Sequence, residues 1–189
     1  MATSLGHSLA GYVVYRCSGK TKIPERFILM IICIVMANTP DLDFLPGILI
    51  GQPALYHQGL THSLGFAVIV SLGIAGIFYL KKKMFSVVFK ICFLSYASHL
   101  LIDIFGPDGR LPYGIPLFWP ISGDHFISPV RLFPGAHHAA STSASLQEWL
   151  YGVFSLHNLS AFAIEVIIIV PFIFLGQLYR RRPGLLRAK

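Results

Sequence analysis

His99 and Asp103 stand four residues apart in the segment Ser98-His99-Leu100-Leu101-Ile102-Asp103. On a helix this spacing puts an imidazole and a carboxylate on one face, about 6 Å apart, where together they can grip one divalent ion. Such a pair can equally be a hydrogen-bonded structural couple. Asn38-Thr39-Pro40-Asp41-Leu42-Asp43 ends a helix near Pro40 and offers two carboxylates from a turn, which taken alone reads as a capped, solvated turn. In Tyr56-His57-Gln58-Gly59-Leu60-Thr61-His62-Ser63, Thr61 is placed to cap a helix that His62 opens. The positive end of that helix favours neutral imidazole, the metal-binding form. His57, in the preceding loop, is a ligand, a support for one, or an exposed group. His7 on its own reads as a satisfied helix histidine. Nitrogen and oxygen donors without thiolate suit zinc first, then manganese or iron, and they suffice for two ions.

These residues need elements to carry them, and the composition dictates an unusual kind. Over 189 residues, 54% are hydrophobic, 12% are charged and the mean hydropathy is +0.67, values wrong for a water-facing surface. Lipid must cover much of the chain. Residues 64–80, 85–105 and 159–179 are long enough, or nearly so, to cross a hydrocarbon core of roughly 30 Å at about 1.5 Å per residue. Residues 27–37 and 4–15 are shorter or less apolar and read as helices packed against the others. The expected fold is therefore an all-α integral membrane bundle: about three full transmembrane helices, two short N-terminal helices, and an ordered outer loop region. It forms one domain over 1–189, with core motifs in 1–105, a cap over 106–158 and a last membrane helix over 159–179. Gly106-Pro107-Asp108-Gly109 and the stretch from Pro112 to Pro120 rule out one continuous helix in that cap. Trp119 and Trp149 suit either the headgroup belt or a core within it.

The net charge of +7 sits in short clusters beside apolar runs: Arg16, Lys20, Lys22 and Arg26; Lys81, Lys82 and Lys83; Arg180, Arg181 and Arg182. That placement fits anionic lipid and cytoplasmic loops, and without a basic stripe interleaved with aromatics no nucleic-acid partner is expected. Cys17, Cys33 and Cys92 lack CxxC spacing and read as packing residues. The N-terminus lacks the basic start and cleavage site of a secretory signal, so residues 1–16 are expected to stay in place.

With the basic ends cytoplasmic, distances along each helix follow. His62 lies about 28 Å from Lys81, His99 about 24 Å and Asp103 about 30 Å from Lys83, Asp41 about 22 Å beyond Arg26, and His7 about 14 Å beyond Arg16. His7, Asp41, Asp43, His57, His62, His99 and Asp103 thus sit at, or project toward, the same ends of four helices, on the outer side of the membrane. An ionisable group at membrane depth is costly unless paired or bound to something. Glu165, about 22 Å from Arg180, is such a group too, expected to be protonated or paired inside the bundle.

Gly6-His7-Ser8, Pro40-Asp41-Leu42-Asp43-Phe44, His57-Gln58-Gly59-Leu60-Thr61-His62-Ser63 and Ser98-His99-Leu100-Leu101-Ile102-Asp103 together resemble the YdjM-type inner-membrane proteins, a family described as metal-dependent hydrolases. The His-x-Gly-x-Thr-His-Ser element is the most specific of them. The same order of residues also resembles the zinc-dependent phospholipase C and P1 nuclease group, helical enzymes that cleave phosphoesters with clustered zinc. That resemblance implies zinc ligands at His7, His62, His99 and Asp103, with Asp41 or Asp43 a ligand or base. The chain departs from that group after Asp103. There the soluble enzymes add a further His and a His-x-x-x-Glu pair, for which His125, His137, His138 and His157 lack the spacing. The three-metal set is incomplete.

The expected chemistry is hydrolysis: metal-bound water, its pKa lowered toward neutrality, attacks an ester or phosphoester while a carboxylate, Asp43 by preference over Asp41, accepts the proton. A lipid headgroup or lipid-linked substrate suits a site near the membrane surface. A cation or proton transporter and a non-catalytic protein with a structural metal are the alternatives. Transport sites usually lie near the midplane with access from both faces, which these depths disfavour.

Overall fold

A computed structural model of the chain describes residues 1–18, 26–82, 84–109, 111–137 and 144–181. Lys20, Lys22, Lys83, His138 and Arg182 lie outside the described residues. Among those described, the chain is helical, with one isolated antiparallel bridge between Ile115 and Phe126. The helices are α1 (Ser4–Cys17), α2 (Arg26–Asn38), α3 (Phe44–Leu49), α4 (Leu64–Lys82), α5 (Phe85–Ile104), α6 (Leu146–Val153) and α7 (Leu156–Arg181).

Local chemistry sets several of these ends. Thr3 is extended and its hydroxyl accepts from Gly6 N, opening α1 as a capped helix. α2 stops at Asn38, ahead of Pro40, whose ring cannot continue the hydrogen-bond ladder. The chain then makes a 3-10 turn over Pro40–Asp43, and Arg26–Asn38 and Pro40–Leu49 meet at a bend of 50°. The expected cap at Thr61 is not what forms. Leu60–His62 is its own 3-10 turn, Ser63 is extended, and it is the Ser63 hydroxyl that accepts from Phe66 N at 3.1 Å to open α4.

Two helices are long and apolar enough to cross a membrane, Phe85–Ile104 and Leu156–Leu178, and the bent α2–α3 pair passes as a third span. α4 starts at Leu64 as expected, and its apolar part over Leu64–Leu80 covers about 25 Å, a little under the hydrocarbon core. α5 is the centre of the bundle, packed by α1, α2 and α4, while α1 also packs on α7. Val88, Cys92 and Tyr96 recur on the buried face of α5 at helical spacing, against Leu29, Cys33 and Met36 of α2. His99 and Asp103 continue that face at its C-terminal end. Outward-facing positions are large and apolar, among them Phe27, Val35, Leu94, Ile167 and Phe172, as lipid contact demands. α1 and α2 approach closely at Gly11, where a Cβ would come 2.5 Å from the Cys33 carbonyl.

The loop after α5 caps helix ends. Leu117 and Trp119 carbonyls accept from Leu64 N and Gly65 N at 2.9 and 3.0 Å, satisfying amides that α4 leaves free. Ser128 N and Leu132 N donate to the Ile104 and Phe105 carbonyls at the end of α5. The expected ordered cap is thus a clamp across the two helix ends that bear His62 and Asp103.

Candidate metal centre

His7 on α1, Asp41 and Asp43 after α2, His57 and His62 before α4, and His99 and Asp103 on α5 meet at one end of the bundle. Asp41 retains 16% side-chain exposure and the others 6% or less. Three overlapping triads have ligand atoms all within 4.8 Å of one another: His7, Asp41 and His99; Asp41, His57 and His62; His62, His99 and Asp103. Any of these groups could hold a metal ion.

The hydrogen bonds behind the rings decide which nitrogen faces inward. His99 Nδ1–H donates to the Ala37 carbonyl at 2.8 Å, so a neutral His99 presents the Nε2 lone pair to the cluster. His62 Nδ1 lies 3.1 Å from Asp43 Oδ2, and its Nε2 is directed inward likewise. The two Nε2 atoms stand 3.2 Å apart. Asp103 Oδ2 lies 3.1 Å from His99 Nε2 and 3.6 Å from His62 Nε2, and Asp41 Oδ1 is 3.6 Å from both nitrogens. Two imidazole nitrogens and two carboxylate oxygens therefore converge on one buried point, an arrangement that needs a proton or a cation among them. Asp103 Oδ2 and His7 Nδ1 are moreover buried without a hydrogen-bond partner among the described residues. The donor set fits a divalent ion of the zinc, manganese or iron kind.

His7 stacks on His99 with ring centroids 3.6 Å apart, and its Nε2 is 3.4 Å from Asp103 Oδ1. Asp43 faces outward from the cluster. Its Oδ1 accepts from His57 Nδ1 at 2.7 Å, and its Oδ2 accepts from Gln58 N at 3.1 Å and Thr61 Oγ1 at 2.9 Å as well as facing His62. His57 is stacked on Phe44 at 3.7 Å, and Trp149 of α6 leans on Phe44 in turn. Burial holds the His57 imidazole below its ordinary value despite its bond to Asp43. His62 departs from the neutral form expected of a helix start. Burial pushes it down, but Asp41 and Asp43 outweigh this and lift its pKa to about 10.

The other candidates lie elsewhere. His125 is exposed. His137 and His157 stack on each other at 3.7 Å. Glu165 is fully buried and paired, with Thr3. Sequence reasoning missed Tyr96, whose hydroxyl donates to the Thr61 carbonyl at 2.6 Å and fixes the turn that carries His62. Its position one turn before His99 on the same face of α5 was the available signal. It also missed Met1, whose sulfur lies 2.8 Å from His57 Nε2.

Fold and site together define a helical membrane protein with a buried histidine and aspartate cluster at one end of its bundle. The model of the YdjM inner membrane protein family matches residues 1–183, and the chain belongs to that family. The inner membrane protein YbcI of Escherichia coli (strain K12) is 30% identical to it over 148 residues, 75% of this chain and 80% of that relative. No solved structure matches. The resemblance to the phospholipase C and P1 nuclease group finds no support among these relatives.

Proposed function

We propose that the chain is a membrane-bound, metal-dependent hydrolase of an ester or phosphoester, with a lipid or lipid-linked substrate, working at the periplasmic face. The observation that carries this reading is the pair of inward Nε2 atoms of His62 and His99 with Asp41 and Asp103 between them, a donor set of the kind that binds zinc. When bound, such an ion supplies Lewis acidity toward a carbonyl or phosphoryl oxygen and toward water. His62, His99 and Asp103 would hold it, and the two other triads, which join Asp41 to His7 and His99 or to His57 and His62, share a histidine with that set.

Of the two aspartates expected to accept the proton, Asp41 suits the task better. It is the most exposed member of the cluster, whereas both oxygens of Asp43 are occupied by His57, Gln58, Thr61 and His62. Asp43 orients the two imidazoles. The basic clusters at the α4–α5 turn and after α7 support a cytoplasmic location for the end remote from the site.

The test is metal content, by mass spectrometry, of detergent-purified wild type beside His99→Ala with Asp103→Ala, followed by turnover on phospholipids, phosphodiesters and carboxylic esters. Metal in the wild type, its loss from the double variant and metal-dependent turnover are expected. A wild type that takes up no ion from zinc, manganese or iron would overturn the reading, and a loaded protein inert on the whole panel would remove its catalytic part.

A further inference from the structure

Glu165 lies within α7, fully buried. Its carboxylate is given to the start of the chain. Oε1 accepts from Thr3 N at 2.8 Å and Oε2 accepts from the Thr3 hydroxyl, which in turn accepts from Gly6 N at 3.0 Å. Gly6 is the residue this contact allows, since a Cβ there would run into the Glu165 carboxylate.

What Thr3 carries explains the placement. Ala2 N donates to Asp103 Oδ1 at 3.2 Å, Met1 N donates to the Pro107 carbonyl at 2.9 Å, and the Met1 sulfur faces His57 Nε2. His7 N donates to the Thr3 carbonyl at 3.0 Å, so the same residue sets the first turn of the helix that presents His7. Residues 1–3 form a strap pinned at Glu165 and laid along Asp103 and His57. An ionisable group in a membrane-crossing helix is costly, and a hydrophobic side chain would fill that space without the cost.

We propose that Glu165 is a positioning residue of the metal centre, a role that rests on the metal reading above. By clamping Thr3 it keeps Ala2 N on Asp103 Oδ1, which turns Oδ2 toward His62 and His99. Partners that orient a ligand in this way typically change metal affinity about tenfold to a hundredfold when they are removed.

The experiment is a cobalt(II) titration of the full chain in detergent, reading both the dissociation constant and the ligand-field absorption at saturation, for wild type, Glu165→Gln, Thr3→Val and Thr3→Ser. Glu165→Gln and Thr3→Val are expected to bind about tenfold to a hundredfold more weakly with an altered spectrum, and Thr3→Ser to restore both. Wild-type affinity and spectrum in folded Glu165→Gln and Thr3→Val overturn this inference alone, as does a lowered melting temperature with an unchanged saturated spectrum. Failure of the wild type to bind cobalt overturns the metal reading itself. Should Glu165→Gln not fold, the contrast between Thr3→Val and Thr3→Ser decides.

Discussion

His62 Nε2 and His99 Nε2 face each other at 3.2 Å because each ring is held from behind, one by Asp43 Oδ2 and the other by the Ala37 carbonyl. Neither nitrogen can turn away without giving up its outer partner. The tautomer of His62 therefore depends on a residue that does not itself face the cluster. Asp43→Asn keeps the shape but replaces one of the two oxygens that face His57 and His62 with an amide donor, so one imidazole loses its acceptor. Its expected effect is a metal dissociation constant raised about tenfold to a hundredfold in a protein that still folds, measured by zinc titration against a competing chelator. Unchanged affinity would show that Asp43 orients nothing.

The carboxylates that lift the His62 pKa to about 10 put a proton where an ion would bind. In the metal-free protein the ring is cationic below that pH, so uptake of an ion displaces one proton. Apparent zinc affinity should rise about tenfold per pH unit from about pH 6 to about pH 9 and flatten near the imidazole pKa. Calorimetry in two buffers of different ionisation enthalpy measures the proton directly. A flat profile with no proton released would exclude His62 as a ligand.

The bundle itself was legible from apolar length and from the positions of Lys and Arg, because lipid imposes those patterns on any chain that crosses it. The convergence of His7, Asp41, His57, His62, His99 and Asp103 was legible for the same reason: ionisable residues at matching depths have few other places to be. Less could be read where partners are distant in sequence. Thr61 looks like a cap by its neighbours, but Asp43 takes its hydroxyl and Ser63 caps α4 in its place. Hydropathy alone also does not reveal that Arg26–Asn38 and Pro40–Leu49 are two apolar helices meeting at a 50° break. The Glu165 to Thr3 contact joins residues 162 positions apart, and no local pattern announces it.

Tyr96 ties the centre of the bundle to the site, its buried hydroxyl donating to the Thr61 carbonyl at 2.6 Å. Tyr96→Phe leaves that carbonyl without its donor, at a cost of about 1–3 kcal/mol, with the His62 turn loosened in consequence. Chemical unfolding in detergent should show the loss of stability, and metal titration a weaker site. A variant as stable as wild type with unaltered affinity would mean that the loop after α5 alone fixes the turn.

The orientation can be tested with one native thiol and one introduced thiol. Cys17 is exposed at the end of α1 remote from the site, while Cys33 and Cys92 are buried. Asp124 is exposed in the loop that clamps α4 and α5 on the site's side. If the basic clusters face the cytoplasm, a membrane-impermeant maleimide should label Asp124→Cys in intact spheroplasts and reach Cys17 only after the membrane is opened. The reverse pattern would put the cluster on the cytoplasmic side. It would leave the metal chemistry untouched but replace a periplasmic substrate with one drawn from the inner leaflet or the cytosol.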